Sequence, residues 1–179
     1  MATSISVRSK NYTFDPRPRS SPFRIVAKRY WIGELCPDAD DHDTFSKTRE
    51  DVLTLVFIHG NGAHKEHWEP TIQRLFENQQ AATRGTVRFR EMWSLDMPNQ
   101  GDSAILNEET LLWGYDICKI HIFHGHEHRF HAFEMYAVSW EYHAQCLHAF
   151  LAGQGTGVDV DFSKRRLVLA GHSMGSHIA

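Results

Sequence analysis

The chain has 179 residues, of which 41% are hydrophobic and 23% are charged, and its formal net charge at pH 7 is −3. These values are ordinary for one globular domain, and the length is too short to assume a second. The negative charge, with no block of lysine and arginine that could follow a phosphate backbone, argues against a nucleic-acid partner.

The cysteines and the hydropathy pattern bear on the compartment. Cys36, Cys118 and Cys146 are widely spaced and odd in number, so they form neither a CxxC pair nor a disulfide framework. The N-terminal segment lacks the apolar core of a signal peptide, and the longest apolar stretch, Val52 to Ile58, is too short to cross a bilayer. We therefore expect an intracellular protein without membrane insertion.

The first third of the chain contains one predicted strand or hairpin. Residues 1–22 carry three prolines among serines and arginines and predict a loosely ordered lead-in, with a single domain over residues 23–179. Residues 23–32 are rich in β-branched and aromatic side chains, which favours a strand or a hairpin. Residues 36–51 are acidic and polar, which predicts a surface loop. A loop that binds a divalent metal is disfavoured, because the aspartate spacing lacks the glycine and final glutamate of a calcium-binding loop.

The middle of the chain alternates between strands and a helix. The run VLTLVFIHG, starting at Val52, is continuously apolar and predicts a strand buried on both faces. The apolar residues of HKEHWEPTIQRLFEN, residues 64–78, recur at helical spacing and predict a helix with Pro70 in its first turn. Residues 86–98 predict another strand, which enters a loop containing proline and glycine.

The last third contains another helix and a final strand. A helix is predicted from apolar residues that share one face, at Tyr136, Trp140, Ala144, Leu147 and Leu151. The final segment, RLVLAGHSMGSHIA, predicts a short strand, a tight turn and the first turn of a helix. Strands that alternate with helices predict an α/β fold with a mostly parallel sheet and flanking helices.

The turn in that final segment carries the sharpest chemical signal. Residues Gly171 to Gly175 match the G-x-S-x-G pattern, in which glycines on both sides of a serine permit a sharp strand-to-helix turn. Such a turn exposes the serine hydroxyl at the end of the sheet and directs a helix N-terminus towards a developing oxyanion. Ser173 is therefore the predicted nucleophile, and Gly171 and Gly175 are the predicted elbow glycines.

A second motif, His59-Gly60-Asn61-Gly62, follows the buried strand. Glycines there let the backbone approach a substrate, and a free N–H can donate to an oxyanion. We predict an oxyanion hole formed by the backbone N–H groups of Asn61 and Met174. His59 itself is expected to be a buried structural histidine.

Other polar clusters have simpler interpretations. Asp96 and Asp102 are expected to cap backbone groups in their loop. Neither is predicted as a triad acid, because the acid follows the serine in chains with a G-x-S-x-G elbow and both aspartates precede Ser173. His124, His126 and His128 alternate, and a zinc cluster is considered, but no HExxH motif accompanies them. We predict exposed histidines there, and neither a metal nor an organic cofactor.

Together, the segments LVFIHGNGAHKEHWEP, SLDMPNQGDSA and LVLAGHSMGSHIA resemble the α/β-hydrolase fold family in three ordered places over residues 52–179. They match its oxyanion loop, its D-x-P-x-x-G-x-S loop and its nucleophile elbow. The lead-in and the acidic loop resemble those of fungal α/β-hydrolases of secondary metabolism, in particular of host-selective toxin biosynthesis. That resemblance implies a cytoplasmic protein, or a peroxisomal one if a C-terminal signal is present.

The resemblance also implies that catalytic groups are missing. In the family the remaining strands, the cap over the site and the triad acid and histidine follow the serine, and only six residues follow Ser173. His172 and His177 are expected to point away from the hydroxyl. We therefore expect the N-terminal half of an α/β-hydrolase domain, truncated after the elbow and inactive by itself.

The predicted function of the intact protein is serine-dependent hydrolysis of a small-molecule ester, thioester or related carbonyl compound. Two alternatives remain open at this point. The same acyl-serine chemistry supports an acyltransferase or a hydrolase of carbon–carbon bonds, and a catalytically silent α/β-hydrolase could act as a binding module.

Overall fold

The structure is a computed structural model that describes residues 5–17, 21–33, 52–82, 87–112, 118–122 and 133–179, with the backbone alone for 118–122 and 133–137. The strands are β1 (Val7–Phe14), β2 (Ile25–Ile32), β3 (Val52–Ile58), β4 (Arg88–Leu95), β5 (Cys118–Ile122), β6 (Phe133–Ala137) and β7 (Arg166–Gly171). The helices are α1 (Glu69–Ala81), α2 (Gly101–Leu106), α3 (Glu108–Leu112), α4 (Trp140–Leu151) and α5 (Met174–Ile178).

Five strands form the main sheet, in the order β1-β2-β4-β3-β7. β1 and β2 are antiparallel, as are β2 and β4, whereas β3 is parallel to both β4 and β7. β5 and β6 form a separate antiparallel pair. The predicted α/β fold is confirmed: the parallel strands carry the predicted site at their carboxyl ends, and the two antiparallel strands make the sheet mixed.

β3 lies at the centre of the parallel half of the sheet. Successive side chains of a strand point to opposite faces. Val56 and Ile58 pack in one apolar cluster together with residues of α4, whereas Leu55 and Phe57 pack in a second cluster with residues of α1. Helices therefore cover both faces of β3, which confirms the prediction of a strand buried on both sides. Each of these buried side chains contributes about 2 kcal/mol of hydrophobic stabilisation.

The helix predicted after β3 is confirmed, with a different start. A single turn of 3-10 helix over Lys65–Trp68 precedes α1, which begins at Glu69. Pro70 lies in the first turn of α1, where its missing N–H removes no intrahelical hydrogen bond.

The helix predicted near the end of the chain starts later than its apolar pattern suggests. Ser139 is the N-cap of α4, and its side chain accepts a hydrogen bond from the N–H of Tyr142. This cap satisfies a first-turn donor and so fixes the helix start. Tyr136, which its spacing predicts on the helix face, lies in β6 instead.

The prediction of a loose lead-in over residues 1–22 is wrong for the part that forms β1. β1 pairs along its whole length with β2, and the ring of Phe14 is 1% exposed and packs edge-on against Phe150. Most other β1 side chains are exposed because β1 is an edge strand, so the segment has no continuous apolar run that would reveal it. The sheet therefore begins before residue 23.

Two predictions concern residues outside the described ranges: the acidic surface loop over 36–51 and the alternating histidines His124, His126 and His128. In the described part of the chain, no helix combines the length and apolar character that a membrane span requires.

Candidate active site

Ser173 lies between β7 and α5, at the carboxyl end of the parallel strands. Its backbone has φ 53° and ψ −119°, and no other non-glycine residue of the described ranges has a positive φ. Such conformations are unfavourable for side chains with a Cβ and are found preferentially at functional sites. Ser173 is exposed, so the sharp turn presents the residue to solvent. The predicted strand–turn–helix context of the G-x-S-x-G motif is confirmed.

Gly171 and Gly175 are each packed against main-chain atoms. A Cβ on Gly171 would lie against the carbonyl group of Gly175, and a Cβ on Gly175 would lie against the carbonyl oxygen of Ile58. Backbone atoms cannot rotate away as a side chain can. Both glycines therefore have a steric reason to be glycine: the first allows the sharp turn, and the second allows α5 to approach β3.

The turn after β3 brings Gly60 against the serine. A Cβ built on Gly60 would be 3.2 Å from the Cβ of Ser173 and 2.8 Å from Nδ1 of His172. The N–H of His172 donates to the carbonyl oxygen of Ile58 at 3.1 Å, which joins the elbow to the end of β3. The N–H of Ala63 donates to the carbonyl oxygen of Gly60 at 3.1 Å and closes the turn.

The two predicted oxyanion donors lie on either side of this contact. Asn61 follows Gly60 in the turn, and Met174 is the first residue of α5. Neither backbone N–H has an acceptor among the residues that the structure describes. The fold thus gathers Ser173, Asn61 and Met174 at one end of the sheet, although Asn61 and Ser173 are far apart in sequence.

His59 is fully buried, as expected for a structural histidine. Its Nδ1 lies 2.8 Å from the carbonyl oxygen of Gly60, and its Nε2 accepts a hydrogen bond from the N–H of Met97 at 3.2 Å. Burial lowers the pKa of His59, so the imidazole is neutral, with the proton on Nδ1. His59 therefore connects the loop after β3 with the loop after β4.

Asp96 is fully buried at the end of β4. Its Oδ1 accepts from the N–H of Lys65 at 2.6 Å, and its Oδ2 accepts from the N–H of Asp102 at 2.9 Å. The capping role predicted for Asp96 is confirmed. Asp102 and Ser103, however, lie in α2 and not in a loop, because the Asp96 carboxylate accepts a first-turn N–H that the helix itself leaves free.

Lys65 is a member of this cluster that the sequence does not reveal. Its side chain is 1% exposed, and its Nζ lies 2.9 Å from Oδ2 of Asp96, 2.6 Å from Oδ2 of Asp102 and 3.0 Å from Oε1 of Glu66. Burial by itself lowers the pKa of Lys65, but hydrogen bonds to these three carboxylates outweigh burial and raise the pKa above its ordinary value. Lysine is rarely buried, so no local pattern distinguishes this one.

Two more buried side chains support the loops around Ser173, and neither was predicted. Nε2 of Gln100 donates to Oδ1 of Asn61 at 2.8 Å. Nε2 of His143, on α4, lies 3.2 Å from Oδ1 of Asn99. Both side chains depend on contacts between distant segments: Gln100 occupies a variable position of the D-x-P-x-x-G-x-S loop, and His143 belongs to no recognisable local motif.

The histidines next to Ser173 in sequence do not face its hydroxyl. Nδ1 of His177 lies 3.3 Å from the carbonyl oxygen of Ser173, and the imidazole packs on Trp140. The ring of His172 is stacked on that of His67, with the centroids 6.2 Å apart. Within the described ranges, no imidazole is hydrogen-bonded to the Ser173 hydroxyl, in agreement with the expectation that neither His172 nor His177 is the general base.

Comparisons with known proteins agree with this arrangement. A family model described as "Alpha/beta hydrolase family" matches residues 55–179, which include both loops and the elbow. None of the curated proteins compared with the chain matches it. A solved structure, the peroxisomal alpha-beta-hydrolase Lpx1 from Saccharomyces cerevisiae, is similar with a TM-score of 0.52 and 19% sequence identity.

The similarity to Lpx1 covers 99% of this chain and 40% of the Lpx1 chain, so this chain spans less than half the length of that protein. At this level of identity, the similarity bears on the fold alone. The family model covers well over half of the present chain and includes the strand, the elbow and the loops described above. The chain belongs to the alpha/beta hydrolase family.

Proposed function

We propose that Ser173 is the nucleophile of a hydrolase that acts on an ester, a thioester or a related carbonyl compound of low molecular mass. The observation that supports this most directly is the strained, exposed backbone of Ser173, which packs against a glycine turn and lies beside the N–H groups of Asn61 and Met174, neither of which has an acceptor among the described residues. Strain of this kind is retained where it has a use, and exposure of a reactive hydroxyl is such a use.

The proposed reaction begins with attack of Ser173 Oγ on the carbonyl carbon. The hydroxyl proton passes to a general base, and the electron pair of the C=O bond moves to the oxygen. The N–H groups of Asn61 and Met174 stabilise this oxyanion. Collapse of the intermediate breaks the bond to the alcohol or thiol, which leaves with a proton, and water then hydrolyses the acyl-serine.

The proposal includes a general base and an acid partner that lie outside the described residues. Two findings support this: the rings of His172 and His177 are engaged elsewhere, and the chain spans 40% of the length of Lpx1. The 179-residue chain tested alone is therefore expected to react slowly. Transfer of the acyl group to another acceptor and cleavage of a carbon–carbon bond would use the same serine.

Labelling with a fluorophosphonate, which modifies activated serines, tests the proposal. We expect the protein as its gene encodes it to be labelled at Ser173 and to hydrolyse p-nitrophenyl esters. Ser173→Ala removes the nucleophile and should reduce both signals at least 1,000-fold, in line with the loss of a catalytic serine. Ser163→Ala is the matched control, because Ser163 is exposed and contacts Asp161 away from the elbow.

If labelling does not depend on Ser173, both the hydrolase and the acyltransferase are ruled out, and a binding module is favoured. Rapid ester turnover by the 179-residue chain alone, lost in Ser173→Ala, would instead show that the base lies within this chain.

The resemblance of the lead-in and the acidic loop to fungal hydrolases supports a further proposal: the substrate is an acylated intermediate of secondary metabolism, such as toxin biosynthesis, in the cytoplasm or in peroxisomes. Lpx1, the similar solved structure, is described as peroxisomal. An unchanged metabolite profile in cells that carry Ser173→Ala would contradict this role.

A further inference from the structure

A side-chain hydrogen bond connects the two loops beside Ser173. Gln100 lies directly before α2, where its N–H donates to the carbonyl oxygen of Met97 at 2.9 Å and so fixes its backbone. From that position Nε2 of Gln100 reaches Oδ1 of Asn61 at 2.8 Å. Gln100 is 9% exposed, whereas Asn61 is exposed at the turn that contacts the serine.

Stability alone does not account for a glutamine at this position. Oε1 of Gln100 is buried and has no hydrogen-bond partner in the described part of the chain. An unpaired buried polar atom is destabilising, whereas an apolar side chain of similar size has no such atom. Among the described residues, the Gln100 side chain makes one hydrogen bond, to Asn61, so the role of Gln100 must be sought there.

The direction of the hydrogen bond between Gln100 and Asn61 decides which atoms of the Asn61 amide remain available. Because Nε2 of Gln100 is the donor, the Asn61 amide is held by its oxygen. The amide nitrogen of Asn61, with two N–H groups, then has no partner among the described residues. This nitrogen belongs to the residue next to Gly60, and a Cβ built on Gly60 would lie 3.2 Å from the Cβ of Ser173. The turn therefore offers donors from both the main chain and the side chain of Asn61.

We propose that Gln100 is a positioning residue that orients the Asn61 amide so that its N–H groups, and not its oxygen, face an acceptor oxygen of the acyl substrate. This inference rests on the proposed function and extends it, since it assigns to the Asn61 side chain a donor role beside the reacting carbonyl. Gln100 touches neither the substrate nor the serine and acts through Asn61.

Two substitutions distinguish this orienting role from that of a tether, which would only link the two loops by a hydrogen bond of either direction. Gln100→Leu removes the hydrogen bond. Gln100→Glu allows a hydrogen bond but reverses it, because a carboxylate only accepts, so the Asn61 amide must turn and use its N–H groups internally. A tether would tolerate the glutamate, whereas an orienting residue would not.

We expect both variants to slow fluorophosphonate labelling of Ser173 by about 10-fold, less than the 100-fold or more seen when an oxyanion donor is lost outright. The thermal midpoint of Gln100→Leu should equal or exceed that of the wild type, because the unpaired buried oxygen is gone. Gln73→Leu is the matched control, since Gln73 also donates one amide hydrogen bond, to Glu77 within α1, and it should label like the wild type.

The Asn61→Ala background tests whether the effect passes through Asn61. In that background, neither substitution of Gln100 should change the labelling rate more than about 2-fold, since coupled residues are not additive. Wild-type labelling in Gln100→Glu, or equal slowing by Gln100→Glu with and without Asn61, would overturn the proposal; the second result would indicate a direct effect of charge. Absence of labelling in the wild-type protein would instead defeat the proposed function.

Discussion

At the scale of single residues, Ser173 combines exposure with an unfavourable backbone. A non-glycine residue with φ 53° and ψ −119° is strained by about 1–3 kcal/mol. Surrounding hydrogen bonds hold the turn in place: the N–H of Gly175 donates to the carbonyl oxygen of His172 at 2.9 Å, and the N–H of Ser176 donates to that of Ser173 at 3.0 Å. The chain thus retains a conformation that its local preference opposes.

Ser173→Gly should therefore stabilise the protein relative to Ser173→Ala. Glycine accepts this backbone conformation without strain, whereas alanine keeps the Cβ; glycine also loses more entropy on folding, which offsets part of the gain. We expect the glycine variant to have a free energy of unfolding about 1 kcal/mol higher than the alanine variant in urea titrations. Equal stabilities of the two variants would mean that the turn is not strained.

At the scale of the elements, four connections hold the carboxyl ends of β3, β4 and β7 together. The His59 imidazole and the Gln100 amide each join the loops after β3 and β4, and the elbow packs on the end of β3. The fourth connection is the ion pair between Lys65 and Asp96, which are 1% and 0% exposed. A buried charge that loses its partner is costly, so this pair should dominate the response of the loops to mutation.

Lys65→Met is expected to lower the free energy of unfolding by about 3–5 kcal/mol, because it leaves the Asp96 carboxylate buried without a cation. Adding Asp96→Asn should recover part of that loss, since the unpaired charge disappears. Lys164→Met serves as the control, because Lys164 pairs with Asp161 at an exposed site, and it should change stability by less than about 1 kcal/mol. A similar cost in both lysine variants would contradict this account.

The same elements explain which features the sequence could predict. The elbow is local: its strand, its glycines and its serine fall within ten residues, so pattern and chemistry coincide there. β3 was predictable because both of its faces are buried. β1 was not, because an edge strand buries few side chains, and the order of strands in the sheet depends on pairings that no local pattern encodes.

The supporting residues of the site were beyond sequence reasoning for a related reason. Lys65 and Asp96 are 31 positions apart, and Asn61 and Gln100 are 39 apart. In a single sequence, a buried lysine cannot be distinguished from an exposed one. A glutamine that orients another side chain likewise cannot be distinguished from an ordinary loop glutamine. The proposed nucleophile and the proposed oxyanion donors could be chosen from sequence motifs, whereas the side chains that hold these segments in place required the fold.

At the scale of the whole molecule, two neutral histidines of the described ranges lie in the interior. His59 is 0% exposed and His143 is 1% exposed. Burial, with a smaller contribution from nearby His59, lowers the pKa of His143 to about 4. The unfolded chain binds a proton at this histidine near pH 6.5, whereas the folded chain binds it only near pH 4. Above pH 6.5, His143 therefore does not change the free energy of unfolding, and as the pH falls from about 6.5 to about 4 it lowers that free energy.

His143→Gln tests this linkage. Glutamine can keep the hydrogen bond to Asn99 but cannot be protonated. Between pH 7 and pH 5, the wild type should lose about 2 kcal/mol more free energy of unfolding than the variant, at about 1.4 kcal/mol per pH unit below 6.5. Urea titrations at both pH values provide the measurement, with His148→Gln, exposed on the same helix, as the control. Parallel pH profiles for the wild type and His143→Gln would show that His143 is not kept neutral.

The three glycines around Ser173 constrain in different ways how this sequence can diverge. Gly171 and Gly175 face main-chain atoms, which every sequence with this fold places there, so no second substitution can make room. A Cβ on Gly60 would lie 2.8 Å from Nδ1 of His172, which a smaller side chain would remove, and 3.2 Å from both the carbonyl oxygen of His172 and the Cβ of Ser173, where a small shift would make room. Among homologues, position 60 should therefore vary only together with position 172, whereas positions 171 and 175 should remain glycine wherever the elbow persists.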